Sequence, residues 1–322
     1  MDPILDVLRT IKLSGVVFLR ANLGGEYGIE MPPPTFSHPT VKPLTPEHRL
    51  VMFHIVREGQ GYLEVQGSVP RKLDTGDLIL VFDHVTHSMV DSPGRATVKS
   101  EELVVRSSGA APPAVEVGEG PRTMRLICGM LQFVERGVNP VIHSLPAFLH
   151  IPRESGPSTP WLRANVDHLV AEAETGRPGN DTVLSRLTEL LFMETLRGYL
   201  QTLPPSERGW FAALKDPIVG TGIRLIHESP AHPWTVAELA KKSGASRSAF
   251  ADRFTELLDT SPIAYVTQWR IRLATNLLSE SDAPIGAIAN EVGYESESAF
   301  NRAFKREVGA TPAAWRKRSI PT

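Results

Sequence analysis

Along the first half of the chain, apolar residues come in short runs broken by glycine, proline and aspartate. Val51–Val56, Tyr62–Val65, Leu78–Phe82, Leu103–Val105 and Met124–Gly129 have the length and composition of strands. Pro32, Pro33 and Pro34, then Pro112 and Pro113, mark the loops between them. Up to about Leu149 this pattern predicts an all-β domain, a sandwich or a barrel. From Pro160 the period lengthens, and Val183, Leu184, Leu187, Leu190 and Leu191 fall at helical spacing. The stripe they form is wider than one packed neighbour requires. It suits either a well-buried core helix or a helix that meets a second copy of the chain. Pro204 and Pro205 end it, and a further helix is expected around Ile218 to His227.

The last hundred residues repeat themselves. Ala240 and Gly244 recur as Ala289 and Gly293 at an offset of 49, whereas Ser248-Ala249-Phe250, Phe254, Leu258 and Pro262 recur at an offset of 50 as Ser298-Ala299-Phe300, Phe304, Val308 and Pro312. The extra residue falls in the turn after the glycine. Two copies of one supersecondary unit are therefore expected.

Each copy reads as two short helices around a glycine-centred turn, a helix-turn-helix. In the first, Thr235 opens a helix with Glu238 three residues on, the spacing of a reciprocal capping box. Val236, Leu239 and Ala240 form the inner face, Gly244 supplies the left-handed stop, and Ser246 caps the second helix. Phe250, Phe254 and Leu257 then point inward, leaving Ser248, Ala251, Asp252 and Thr255 outward with Arg247 at the tip. In the second copy Phe300, Phe304 and Val308 point inward, Ser298, Asn301, Arg302 and Lys305 outward, and Glu297 sits at the tip beside its cap, Ser296. The outer face is the one a DNA major groove could receive. Two plain amphipathic hairpins would share the polar outer face, but not the matched caps, glycines and aromatics.

Length and charge narrow the reading only a little. The 322 residues suffice for about two domains, each with its own core. A net charge of −2 argues against wholesale coating of nucleic acid, and from His232 onward 12 Lys and Arg stand against 10 Asp and Glu, so DNA binding must rest on placement rather than bulk charge. The single Cys128 cannot form an intrachain disulfide, no apolar run is long enough to span a bilayer, and the N-terminus lacks the order of a secretory signal. A cytoplasmic chain without a membrane partner is expected.

The segment from Trp234 to Trp315 closely resembles the DNA-binding domain of the AraC/XylS family of transcription regulators. The match is carried by Trp234 to Ala240, Ser246 to Phe254, Pro262, Arg270 to Leu278, and above all Ile288-Ala289, Gly293-Tyr294-Glu295-Ser296, Phe304-Lys305 and Gly309 to Pro312. The resemblance implies a double-stranded promoter DNA partner, contact with RNA polymerase and association with the nucleoid; action as an activator or as a repressor depends on where the site lies relative to the promoter. It also implies that two recognition helices, held by a connector at about Pro262 to Leu278, enter successive major-groove segments roughly 34 Å apart. Base-reading positions carry over onto Ser248, Ala251 and Asp252, and onto Ser298 and Arg302. Arg302 is the strongest of them, since a guanidinium can grip both acceptors of a guanine. Its alternative is an ion pair with a neighbouring carboxylate. Arg247, Asn301 and Lys305 suit phosphate or flanking contacts, and Arg270 and Arg272 on the connector suit DNA or an internal ion pair equally.

Leu50 to Val65, followed by Gly76-Asp77 to His87, resembles the two motifs of a cupin barrel fused ahead of such DNA-binding domains. Cys128-Gly129, Pro140 and Leu145-Pro146 extend the likeness. The chain keeps His54 and His87, but it lacks the paired histidine of metal-binding cupins, and Phe82 and His84 stand where proline and glycine are usual. No catalytic set is complete, so no enzyme activity is expected. His54, His87 and Cys128 remain candidate ligands for zinc or another divalent metal, since a thiolate and two imidazoles leave a fourth position open. Equally, buried cysteine packs as a small hydrophobe and strand histidines hydrogen-bond within cores. Cys128 could also respond to oxidants if accessible and stabilised as thiolate. Glu58 and Glu64 are assigned to the solvated ends of a hairpin. The expected architecture is thus a cupin-like barrel at 1–150 sensing a small-molecule effector in its apolar interior, a helical linker and homodimerisation segment at 160–215, and an all-α tandem helix-turn-helix domain at 216–322.

Overall fold

The computed structural model describes residues 13–32, 48–82, 85–103, 112–134, 145–153, 160–175, 179–202 and 208–319. Two compact units divide them. The first comprises 13–134 and 145–202, and the second includes 203–322.

In the first unit, β1 (Leu13–Gly24), β2 (Gly28–Met31), β3 (His48–Val65), β6 (His87–Val90), β7 (Val98–Lys99), β8 (Ala114–Val117) and β9 (Arg122–Val134) lie in the order β7-β2-β6-β3-β9-β1-β8. Two further strands, β4 (Arg71–Asp74) and β5 (Leu78–Phe82), flank β3, and β10 (Phe148–Ile151) pairs with β5. This is the expected curled, cupin-like β-barrel architecture. Its core gathers Leu23, Ile29, Val56, Leu63, Ile79 and Leu126 with their neighbours.

The two strands expected at Val51–Val56 and Tyr62–Val65 are one. The Arg57 to Gly61 interval, with its charges and glycines, imitates a turn in sequence. In the fold β3 runs through it, pairing with β5 up to Ile55 and with β9 as far as Gly59, then with β4 from Gln60 and with β6 from Tyr62. A register shift between Val56 and Glu58 and the left-handed φ of 88° at Gly59 make the bend. No side chain fits at that bend, since a Cβ on Gly59 would lie 1.9 Å from the Thr123 carbonyl oxygen. At Leu103, expected to open a strand, a short 3₁₀ turn at Ser100–Glu102 has just closed. Val104, Val105, His84 and Pro140 lie outside the described residues.

Two helices, α1 (Pro160–Thr175) and α2 (Asn180–Thr202), belong to the strand unit. The segment expected as a linker therefore divides, because only α3 (Trp210–Lys215) and the later helices join the second unit. The wide apolar stripe of α2 also splits. Leu184 and Leu191 are fully buried, whereas Val183 and Leu190 are 40% and 41% exposed.

The second unit continues with α4 (Val219–Glu228), α5 (Val236–Lys242), α6 (Arg247–Leu258), α7 (Pro262–Glu280), α8 (Ile285–Glu291), α9 (Glu297–Val308) and α10 (Pro312–Ser319). The sequence repeat becomes a structural one: α5 and α8 have 7 residues each, and α6 and α9 have 12. Gly244 and Gly293 take left-handed φ values of 71° and 92° in the turns between them. The capping box is half made. The Thr235 hydroxyl accepts the Glu238 N–H, but the Glu238 carboxylate meets His232 Nε2 at 3.0 Å instead of turning back.

Candidate nucleic-acid interface

Burial of one face decides what the other presents. On α6, Phe250, Phe254 and Leu257 are buried, with the two phenyl centroids 5.6 Å apart. On α9, Phe300, Ala303 and Phe304 are buried at a matching 5.5 Å, and Val308, expected inside, is half-buried. Ser246 and Ser296 cap the two helices by accepting the N–H groups of Ala249 and Ala299. The cap hydroxyls also touch Ser248 and Ser298 at 3.3 and 3.4 Å, so both serines hold equivalent places at the helix tips.

The outward positions are as expected. Arg247, Ser248, Asp252, Glu297, Ser298, Arg302 and Lys305 are exposed, and Ala251 and Asn301 are half-buried at the edge. Arg302 and Lys305 have no ion-pair partner among the described residues, so the alternative of a helix-surface salt bridge for Arg302 is not what the fold forms. Neighbouring cations are engaged: Arg253 pairs with Asp216 and Glu256, and Arg306 with Glu307. The Glu297 carboxylate faces the backbone of Gly286 at the start of α8.

On the connector α7, Tyr265, Val266 and Trp269 are buried. Phe254 meets Tyr265 edge-on, and His227 stacks on Trp269 with centroids 3.7 Å apart. Further along, Ile271, Ala274 and Leu278 pack against α8, α9 and Trp315. Trp210 Nε1–H donates to the Tyr265 hydroxyl at 2.7 Å, and Tyr265 lies 3.0 Å from His227 Nε2. Arg270 forms no ion pair among the described residues; its guanidinium donates to backbone carbonyls of Pro230, His232 and Gly293. Neither role expected for it, DNA contact or ion pair, anticipated that. Arg272 is buried beside the Trp269 ring.

In the barrel, His54, His87 and Cys128 do come together. His54 and Cys128 face each other across β3 and β9, and His87 projects from β6. His54 Nδ1 lies 3.1 Å from the Cys128 Sγ, and its Nε2 lies 2.9 Å from His87 Nε2. His87 Nδ1 reaches the Val85 carbonyl at 3.4 Å. Because that carbonyl can only accept, one set of tautomers satisfies the whole chain. Cys128 S–H donates to His54, His54 Nε2–H donates to His87, and His87 Nδ1–H donates to Val85.

Every member of this chain is held neutral. Burial, and then the charge of His87, lowers His54 well below the imidazole range. Burial brings His87 down to about 4 against a raising contribution from the Val85 carbonyl. Burial likewise pushes the Cys128 thiol up to about 12, the opposite of the stabilised thiolate that reaction with oxidants requires. Metal ligands must converge on one point. Here His54 spends both ring nitrogens between the other two, so the three lie in a line, and no three His, Cys, Asp or Glu side chains among the described residues are grouped to hold an ion.

The apolar side chains of the barrel, Leu23, Ile29, Val56, Leu63, Ile79 and Leu126 among them, cluster as its core. A groove of about 1190 Å³ with polar lining lies among Gln60, Lys72, Asp74, Asp77, His150 and Arg153. Burial alone would raise the Asp77 carboxyl. Hydrogen bonds from His150 and from the Asp74 and Arg153 N–H groups outweigh it and hold Asp77 below the usual carboxylate range. His150 carries no motif and is 73 residues from Asp77, so nothing in the sequence pointed to it. Glu64, near the end of β3, accepts the Gly94 N–H in keeping with its assignment to a hairpin end, whereas Glu58 pairs with Arg125 at the bend in mid-strand rather than at a hairpin end.

Comparison with known proteins agrees with both halves. A cupin family model matches residues 2–201, and a helix-turn-helix domain model matches 239–318. An AraC-like transcription regulator of Streptomyces lividans is 32% identical over 321 residues, 98% of each chain. The regulator AlkR of Acinetobacter baylyi is 30% identical over 83% of this chain and 87% of its own. Among solved structures, the DNA-binding domain of AdpA in complex with a target DNA is 29% identical, spanning 32% of this chain and 93% of that one at a TM-score of 0.31.

The neutral histidine chain has a pH signature. Both imidazoles have folded pKa values below the unfolded 6.5, so the unfolded barrel takes up protons that the folded one refuses. The stability they permit is intact above pH 6.5 and is lost as pH falls from 6.5 toward about 4, the folded value of His87. Each should contribute a slope of about 1.4 kcal/mol per pH unit in that window. Exchange of β3 and β9 amides, corrected for intrinsic rates, should therefore report a barrel weakened by about 2–3 kcal/mol at pH 5.5 relative to 7.5. In His54→Leu/His87→Leu that dependence should flatten; an undiminished slope would assign the acid sensitivity to other groups.

Proposed function

This chain belongs to the AraC-like transcription regulators, with a cupin domain ahead of a helix-turn-helix DNA-binding domain, and on that footing we propose how it reads DNA and what governs it. The observation that carries the reading is the duplicated recognition helix. Two 12-residue helices, each pinned by a buried phenylalanine pair, present polar and basic side chains outward, with Arg302 and Lys305 of the second free of ion pairs among the described residues. Each enters one major-groove segment, the two lying one turn apart on one face of the duplex.

Within that interface Arg302 reads a base and Lys305 neutralises a phosphate. Ser248 and Ser298 contact the edge of the groove near each helix tip, with Arg247 and Asn301 on flanking phosphates. Ala251 offers a methyl group, and Asp252 can accept from a cytosine amino group but has no means to grip guanine. Glu297 adds negative charge at the α9 tip, where it disfavours close phosphate approach. The second unit is accordingly the stronger reader, and the first contributes mainly positioning.

The chain acts as a homodimer through α2. Val183, Leu187 and Leu190 recur at a spacing of four and three residues on its open side, and Val183 and Leu190 are exposed while Leu184 and Leu191 fill the unit's own core. A second copy of the same helix covers such a stripe with its own. Small-molecule control enters through the polar groove near Asp77 and His150, whose donors and acceptors suit a ligand rich in hydrogen-bonding groups. The rival reading, a cupin enzyme carrying a DNA module, finds no catalytic constellation among the described residues to rest on.

Two variants test the division of labour on α9. Lys305→Ala should weaken binding to all sequences alike and reduce the salt slope by about one unit, whereas Arg302→Ala should cost roughly 1–3 kcal/mol and relax one base position. Equal loss on selected and random duplexes for Arg302→Ala would remove its base-reading role.

Dimerisation is tested by sedimentation velocity at micromolar concentration. The wild-type chain should run as a dimer and Leu190→Asp as a folded monomer, since the change sits on an open face. A monomeric wild type, with or without DNA, would overturn the assignment.

A further inference from the structure

Arg270 stands at the middle of α7 and reaches both helix-turn-helix units at once. Its Nε donates to the Pro230 carbonyl at 2.7 Å and its Nη2 to the His232 carbonyl at 2.8 Å, both in the loop that leads into α5. Its Nη1 donates to the Gly293 carbonyl at 3.0 Å, in the turn between α8 and α9. The guanidinium also lies 5.7 Å from the Tyr294 ring centroid. Burial lowers the pKa of this arginine, and among the described residues no carboxylate answers its charge. Three carbonyl dipoles and one aromatic face take that place.

A second, independent contact joins the same two segments. Gly293 has a φ of 92°, and a Cβ there would fall 2.6 Å from Ala231 Cα and 2.8 Å from its carbonyl oxygen. The turn of the second unit thus lies directly on the backbone of the loop preceding the first. From these points the linkage continues into both readers. Tyr294 packs edge-on against Phe300 of α9 at 5.4 Å, and His232 meets the Glu238 carboxylate of α5 at 3.0 Å.

We infer that Arg270 and the Gly293 turn lock the two helix-turn-helix units into one rigid reader, so that the spacing between the two major-groove segments is itself a specificity element. This rests on the DNA-binding reading above and adds to it a positioning residue that touches no base. Without the lock, two units joined by one helix end could adjust to each other. With it, adjustment falls to the DNA, whose willingness to bend or twist between the segments is then read as energy. One inserted base pair shifts the second segment by roughly 3.4 Å and rotates it by about 34–36°. A rigid reader cannot track that displacement and loses most contacts of one unit.

The test uses the full chain and a duplex selected from random-sequence DNA by the wild-type protein, alongside the same duplex with one base pair inserted between the two protected segments. For the wild type the insertion should reduce affinity about a hundredfold, the scale of losing two or three base contacts. Arg270→Lys keeps the charge, but one ammonium cannot fork across three carbonyls. It should bind the original duplex more weakly and lose only about tenfold on insertion. Tyr294→Leu, which leaves the three hydrogen bonds in place, should fall between, and it serves as the readout if Arg270→Lys folds poorly. Phosphate contact by Arg270, or a loss of folded protein alone, would weaken both duplexes in proportion. An unchanged insertion penalty in both variants, or a wild type that tolerates the insertion, overturns the lock. A wild type that selects no duplex at all overturns the DNA-binding reading itself.

Discussion

The phenylalanine pair on each recognition helix, Phe250 with Phe254 and Phe300 with Phe304, is the constraint on which the DNA-binding half depends. Four rings must leave water together, and Leu257 and Ala303 complete the buried faces. Once those faces are fixed, the 3.6-residue period leaves no choice about which side chains point away. The serine caps and glycine turns then set where each helix starts and at what angle it leaves its partner. Truncating one such ring would cost about 3–5 kcal/mol, a large share of what holds a domain of this size together.

The barrel is organised by a different constraint, the bend of β3 at Gly59, which lets one strand serve two sheet segments. It encloses an apolar core into which the Cys128–His54–His87 chain is built as a fully neutral, mutually satisfied set. Isolated polar groups there would be costly, whereas a closed chain with consistent tautomers is tolerated. A consequence is that the thiol stays protonated and the imidazoles are uncharged near neutral pH.

Legibility in the sequence tracked the locality of the forces. The helix-turn-helix pair could be read almost residue by residue, because caps, glycines and aromatic spacing act within a dozen positions and appear twice. The cupin likeness and the convergence of His54, His87 and Cys128 were also visible, but the linear arrangement was not, since it depends on ring orientation rather than residue type. The Arg57 to Gly61 stretch misled because a bend inside a strand and a turn between strands use the same residues. Arg270 was seen as a cation awaiting an anion; its partners are backbone carbonyls 23 to 40 residues away, which leave no side-chain pattern to detect. The Glu238 carboxylate, likewise, was diverted from its expected cap by His232, a neighbour the capping pattern does not include.

The claim on which the rest converges is that both recognition helices of one chain occupy DNA together. Hydroxyl-radical and guanine-methylation footprinting of the wild-type protein on a selected duplex measures this directly. Two protected major-groove segments per protomer, centred one helical turn apart on the same face, are what the duplicated helices require. Protection confined to a single segment, or spread evenly along the duplex without regard to sequence, would contradict it.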